Sequence, residues 1–365
     1  VGPSYRYGEI HLDEGLMAIE PLVQADEFHK QIKTGDQFDI QKLKEARDGI
    51  SRQFRELGYY GFNTEFIELN ADTTLVKNQL DLELNRRKDV SPEQLHKYRI
   101  GSIEVHISKP SDTLSSEAEA IQYEGLFIYS AGDELKPAVI HDALYFSSGD
   151  LYSHSAHQRS IARLNNLGVF SYVRIDYQPS RSDSLAEILD VHIELHMADQ
   201  ISLHLETDLV MKSTGFMGPG VTLGVSNTNT FKGAERIQVD LKGGLEWQWG
   251  SRDVSQIGTL SYEFGVNSSL SVPRLRLPWR HQSFKDLMNQ ETSINLNFDI
   301  LNRTEYYSMF SALTSLKYSW GKTQALRHSF SPVYLNSVSL LATTPVFDSI
   351  AEENIYIQKS FEEQF

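Results

Sequence analysis

The sequence predicts two α+β units in its first half and an antiparallel β-structure of long, two-faced strands in its second. Three observations carry that prediction. Composition changes near Asp199, a strand, helix, strand, strand pattern is written twice before that point, and the hydrophobic period becomes two after it. Residues 1–199 hold 20 basic and 33 acidic groups and residues 200–365 hold 14 and 16, so nearly all of the net charge of −15 belongs to the first half. In the second half Ser, Thr, Asn and Gly become the usual polar partners of apolar residues, which points to a different environment.

Each α+β unit has the same parts. The stretch from Gly35, GDQFDIQKLKEARDGISRQFRELGYYGF, and the stretch from Gly149, GDLYSHSAHQRSIARLNNLGVFSY, both open Gly-Asp, run through helical spacing and close on Leu-Gly before an aromatic residue. In the first copy Ile40, Leu43, Ile50, Phe54 and Leu57 share a helix face, Asp39 is placed to cap its start and Gly58 to end it in a left-handed conformation. In the second, Ser155 and Gln158 read as a capping box, Ile161, Leu164 and Leu167 as the buried stripe, and Gly168 as the stop. Alternating strands are expected before each helix, Tyr5 to His11 and Ile100 to Ile107. Two more are expected after each, Tyr60 to Leu69 with Leu75 to Leu84, and Phe170 to Gln178 with Glu187 to His196.

From Ile201 the period is two. In IQVDLKGGLEWQWG, Ile237, Val239, Leu241, Leu245, Trp247 and Trp249 oppose Gln238, Asp240, Lys242, Glu246 and Gln248. Leu260 to Val272, Ile294 to Ile300 and Phe310 to Trp320 obey the same rule. Membrane-spanning β-strands need roughly 9–11 residues with an apolar outer face and a polar inner one, whereas strands of soluble sandwiches run to about 5–6. A dry sandwich core would strand the Asn, Asp, Lys and Glu side chains. An extended soluble sheet with one solvated face gives the same alternation.

Composition also excludes function classes. The absence of Cys removes disulfides, thiolate metal sites and cysteine nucleophiles. The charge balance disfavours a nucleic-acid partner. No run of 18 apolar residues marks a transmembrane helix. The chain opens on Val1 with no charged-then-apolar leader, and reads as a processed or trimmed product. No Gly-x-Ser-x-Gly elbow appears, and the expectation is not an enzyme, with no cofactor and no metal. His154 and His157 stand three apart without a third ligand at an obvious spacing, so capping and solvation are expected of them. Gly215, Gly218, Gly220 and Gly224 superficially resemble a phosphate loop, but Val221 to Ser226 reads as strand where that loop requires a helix, so a hairpin turn is expected. Arg86, Arg87 and Lys88 read as a solvated turn. Trp247, Trp249, Trp279 and Trp320 are candidate interfacial anchors, with ordinary strand packing as the alternative.

The twice-written unit followed by long amphipathic strands resembles the BamA/TamA outer-membrane assembly family, in which β-α-α-β-β POTRA modules precede a transmembrane β-barrel. YRIGSIEVHI (Tyr98 to Ile107) and LGVFSYVRIDYQP (Leu167 to Pro179) resemble the membrane-proximal module. VTLGVSNTNTFKGAERIQVDL (Val221 to Leu241) is similar to an early barrel hairpin and SVPRLRLPW (Ser271 to Trp279) to a periplasmic strand end. HSFSPVYLNSVSLL (His328 to Leu341) looks most like the TamA-like lipoprotein branch of Bacteroidetes. The resemblance implies a POTRA domain over 1–97, a membrane-proximal POTRA domain with an insertion over 98–199, and the first six or seven strands of an outer-membrane barrel over 200–365. The acidic loop Ser111 to Glu119 and the stretch Gly132 to Tyr152 are extra to a minimal module. The family's Arg-Gly-aromatic loop and its aromatic-ended closing strand do not occur before Phe365, so a truncated barrel is expected.

The same resemblance implies a function without bond chemistry: an assembly factor that templates strand insertion through a lateral seam, its N-terminal half in the periplasm of a Gram-negative cell. The seam strand would carry Ile201, Leu203, Leu205, Thr207, Leu209 and Met211, and its alternation falters at Thr207 and Asp208. POTRA edge strands would carry Tyr60, Phe62, Phe66, Phe170, Tyr172 and Ile175. Implied partners are unfolded outer-membrane clients, a periplasmic accessory or TamB-like protein, outer-membrane lipid and the remaining barrel strands. A two-partner secretion transporter and a soluble periplasmic scaffold are the alternatives.

Overall fold

A computed structural model describes residues 5–12, 16, 32–74, 76–109, 120–130, 132, 134–180, 187–213, 215–248, 260–277, 284, 287–321 and 326–353. Trp249, Trp279, Leu75 and the loop Ser111 to Glu119 lie outside the described residues.

The first unit comprises β1 (Arg6–Leu12), α1 (Ile40–Glu56), β2 (Ile67–Asp72) and β3 (Gln79–Arg86). Its sheet has the order β1-β3-β2, with β1 parallel to β3 and β2 antiparallel to it. Asp39 caps α1 by accepting from the Gln41 amide at 2.8 Å, and Gly58 takes φ +102 just past its end. The helix lays Ile50 and Phe54 over Leu82 and Leu84, and the Phe54 ring stacks on Phe62 at 4.1 Å.

Two strand expectations are corrected here. Tyr60 to Phe66 is not extended: Asn63 caps a 3-10 turn at Thr64–Phe66, while Tyr59 and Phe62 fold back under α1, so β2 begins only at Ile67. Asn78, at φ +61, turns the chain and delays β3 until Gln79. Arg87 pairs with Asp89 in the exposed turn that follows β3.

The second unit comprises β4 (Arg99–Ser108), β5 (Ala120–Tyr123), β6 (Leu126–Ser130), α2 (Pro137–Ala143), α3 (His154–Asn166), β7 (Phe170–Pro179) and β8 (Ile188–Met197). Sheet order is β5-β6-β4-β8-β7, and β4 lies parallel to both of its neighbours. The hairpin β5–β6 was not expected from the sequence. Its turn places Glu124 at φ 45 and Gly125 at φ 82, the paired left-handed conformations that match strand twist. Gly132 to Tyr152 contributes α2, whose Val139, Ile140 and Ala143 are buried in the same core as Ile103 and Val105. The cap of α3 is Ser153, accepting from the Ala156 amide at 3.1 Å, and not the expected Ser155.

Seven strands follow: β9 (Ile201–Met211), β10 (Phe216–Asn227), β11 (Arg236–Gln248), β12 (Leu260–Val272), β13 (Met288–Arg303), β14 (Tyr307–Gly321) and β15 (Arg327–Thr343). They form an antiparallel meander in sequence order, with only residues 198–200 between β8 and β9. Gly215 lies in the β9–β10 turn and Gly224 in the strand expected over Val221 to Ser226, whereas Gly218 and Gly220 also lie inside β10, which begins at Phe216, so the turn is shorter than expected. Among the described residues the sheet does not close: β9 and β15 each have a single partner. A short helix, α4 (Pro345–Glu353), seats Phe347 edge-on against Tyr307 at 5.3 Å.

Candidate functional site

In the seven-stranded sheet the usual relation between polarity and burial is reversed. One transverse row runs Leu205, Leu223, Leu241, Val266, Phe298 and Ala312 across β9 to β14, and the next runs Thr207, Val221, Gly243, Phe264, Ile300 and Phe310. These rows face outward, with Leu205 68% and Phe264 53% exposed, and Leu241, Leu245 and Phe298 exposed as well. Phe216 and Tyr318 are the buried large apolar side chains of these strands among the described residues. Meanwhile Glu246, Ser261, Thr292 and Ser319 are buried. Seventeen large apolar side chains stand exposed on this face across β9 to β13 among the described residues. Full burial of one such side chain contributes about 1.5–3 kcal/mol, so leaving half of that unrealised at each would forgo tens of kcal/mol, more than a domain's net stability. Water is the wrong solvent for this face.

The other face is built for water. His204 and Asp240 meet at 3.3 Å, Lys212 and Glu246 at 2.5 Å, Ser202 and Ser226 at 2.8 Å, and Asn295 donates to Ser315 at 3.2 Å. His204 and Asp240 stand on strands that are not neighbours, and Gly224 of β10 lies between them in the same row. A Cβ there would fall 2.0 Å from the His204 ring and 2.3 Å from the Asp240 carboxylate, so the bare glycine lets the pair close over the strand. Trp247 and Trp320 are half-buried at opposite ends of the sheet, Trp247 across from Leu260 and Trp320 stacked on His328 at 5.9 Å near the α+β units.

β9 is the first strand and an edge. Ile201, Leu203, Leu205, Leu209 and Met211 project from its apolar face with Thr207 among them, and every one is exposed. Thr207 and Asp208 do not interrupt the β9–β10 ladder, which runs without a shift from Ile201↔Asn227 to Met211↔Met217. The weak-pairing expectation for those two residues has no counterpart against β10.

The α+β edge residues divide. Phe170 and Ile175 of β7 point into the core and Tyr172 outward, and β7 is an edge strand of its sheet. Tyr60, Phe62 and Phe66 belong to no strand. Phe62 is core, and Tyr60 crosses to the second unit, reaching Tyr152 at 5.1 Å and Tyr177 at 5.4 Å. Burial pushes the Tyr152 phenol up to about 12 and the Tyr177 phenol further, so neither titrates near neutrality. Burial also lowers both His154 and His157, and His157 Nδ1 lies 3.1 Å from the Tyr177 hydroxyl, an ordinary structural contact.

The second unit is joined to the sheet through α3. Arg163 donates to the Pro273 carbonyl and Asn166 to Asn289 at 2.8 Å, while Asn229 donates to the Glu134 carbonyl at 2.8 Å. The Arg163 and Asn166 contacts border a cavity of about 380 Å³ lined by Arg163, Arg236, Glu291 and Arg327. Burial holds the Arg163 guanidinium below its ordinary value, and nearby Arg274 adds to the effect. A further cluster, Glu104, His106 and His192, gathers on the outer face of the second sheet. Sequence spacing gave no sign of it, because His192 reaches the other two only through the β4–β8 register.

No protein-family model and no curated protein matches the chain. Solved structures do match. BamA from Haemophilus ducreyi lacking POTRA domains 1–3 aligns at a TM-score of 0.39 and 11% identity, over 92% of this chain and 64% of that one. CdiB from Acinetobacter baumannii aligns at 0.32 and 12%, over 93% and 65%. The chain is similar to both. BamA POTRA3–5 from Haemophilus influenzae aligns at 0.32 and 14% identity, over 54% of this chain and 62% of that one. The chain thus spans less than two thirds of each of these solved chains.

Proposed function

We propose that this chain is the periplasmic arm and the first part of the barrel wall of an outer-membrane assembly factor of the BamA/TamA kind. The observation that carries the reading is the reversed sheet, whose leucines and phenylalanines face outward while its Asp, Glu, Lys and Asn side chains pair on the other side. Hydrocarbon accommodates the first face and a wet lumen the second. Strands of 11–17 residues are long enough to cross a bilayer when tilted. The two half-buried tryptophans sit where two interfacial girdles would lie.

In this reading residues 1–97 and 98–199 are POTRA domains in the periplasm, and 200–365 is wall. An open sheet edge in hydrocarbon leaves each unpaired backbone group at a cost of several kcal/mol, so β9 and β15 are paired in the membrane by further strands. That pairing is a seam which opens sideways, and the outer edge of β9, from Ile201 to Met211, is then the template for an incoming client strand. Main-chain hydrogen bonds give it affinity without sequence preference. The edges at β2 and β7 would add strands of clients or accessory proteins in the same way.

Cell fractionation together with depletion tests the proposal. The expected results are recovery of the parent protein with the outer membrane and a fall in folded porin when it is depleted. Recovery in the aqueous phase without detergent overturns the wall assignment. Unchanged porin with loss of one secreted polypeptide overturns the assembly role.

A further inference from the structure

We propose that Glu104, His106 and His192 form a zinc-binding site on the outer face of the second unit's sheet, a reading independent of the one above. The three donor atoms lie within 4.8 Å of one another. Glu104 Oε2 is 3.2 Å from His192 Nδ1 and 3.9 Å from His106 Nε2. Ligands bound tetrahedrally at about 2.0–2.1 Å from zinc sit about 3.3–3.4 Å apart, so small side-chain rotations bring all three onto one ion.

The backbone explains why they converge. Glu104 and His106 are alternate residues of β4 and therefore share a face, and His192 of β8 stands directly across from Glu104 in the parallel pair. Both strands are interior to the sheet. Their opposite faces, through Ile103, Val105, Val191 and Ile193, are completely buried against the helices. The donors thus project from the stiffest part of the unit, which is how a metal site keeps its geometry. Tyr129 of β6 stacks on the His106 ring at 4.7 Å and 6°, restricting its rotation.

The donor set favours zinc over the hard cations. Two imidazole nitrogens and one carboxylate oxygen suit zinc, whereas calcium and magnesium require six or more oxygens. Three protein ligands leave a coordination position for water or for a side chain of a docking partner.

The test uses the full chain in detergent, purified without a histidine tag and titrated with zinc chloride by calorimetry. One ion per chain is expected. Glu104→Gln and His192→Ala should each weaken binding by more than about tenfold, at least the loss that follows removal of a supporting residue. The double variant His154→Ala, His157→Ala should bind as the parent does. Zinc should raise the unfolding temperature of the parent and of that double variant and leave the two site variants unmoved, while circular dichroism reports the same fold in all. Cobalt should give visible absorption of a nitrogen and oxygen site that is lost in His106→Ala. Absence of zinc uptake by the parent, or equal uptake by Glu104→Gln and His192→Ala, overturns the assignment.

Discussion

Glu56, the last residue of α1, caps the start of a helix in the other α+β unit through Ser155. Its carboxylate accepts from the Ser155 amide at 2.9 Å and the Ser155 hydroxyl at 2.6 Å, with the Ser153 hydroxyl at 2.7 Å. Burial alone would raise this carboxyl, but the three bonds and nearby Arg159 outweigh it and hold Glu56 below the usual carboxylate range. A carboxyl depressed in the folded state contributes stability that is present above its unfolded value, about 4.3, and lost as pH falls through the folded value. Glu56→Gln is expected to cost about 1–2 kcal/mol at neutral pH, after allowance for solvent screening. Hydrogen exchange at the Ser155 amide should report it, with protection falling in the parent below about pH 4.3 and in the variant at all pH values.

Placing a charge on each face of the seven-stranded sheet distinguishes membrane from water. Leu241→Lys should destabilise the folded protein in lipid vesicles by about 2–4 kcal/mol, read by urea unfolding, while Asn297→Lys on the polar face should be near neutral. In an aqueous protein Leu241 is already exposed and its replacement by Lys would cost next to nothing.

The absence of Cys makes single-cysteine probes unambiguous. Leu205→Cys on the seam strand β9 should crosslink to a cysteine-bearing client strand during assembly, and Leu296→Cys, in the interior strand β13, should not. Equal crosslinking at both positions would remove β9 as the template.

Gly224→Val would push a side chain between His204 and Asp240. The pair must separate, and a loss of about 1–3 kcal/mol is expected from the steric change. His204→Ala in the Gly224→Val background should then add little, because the contact it would remove is already broken.

Much of this arrangement could be read from residue order. The alternation from Ile237 to Trp247 required nothing beyond counting, since a period of two survives any register, and β11 to β14 contain the four segments it placed. Gly58 and Gly168 end their helices at positive φ as their position after Leu implied. What escaped depended on distant partners. Tyr60 to Phe66 alternates like a strand, but its aromatics have a better destination under α1 and across to Tyr152. The β5–β6 turn uses Glu124 where Asn or Gly is customary. Ser155 resembled a cap in one dimension, and only the placement of Glu56 across 99 positions of chain reveals its different role. The Glu104, His106 and His192 cluster likewise exists only once β4 and β8 are in register.

The connector 198–200 has a mechanical implication. Three residues stretch to at most about 10 Å, and here both ends are tied, Ala198 to the Val169 carbonyl and the Gln200 carbonyl to Thr228. There is no slack in the tether. A displacement of β8 is therefore handed directly to Ile201, while α3 holds the far side of the same unit against Pro273 and Asn289.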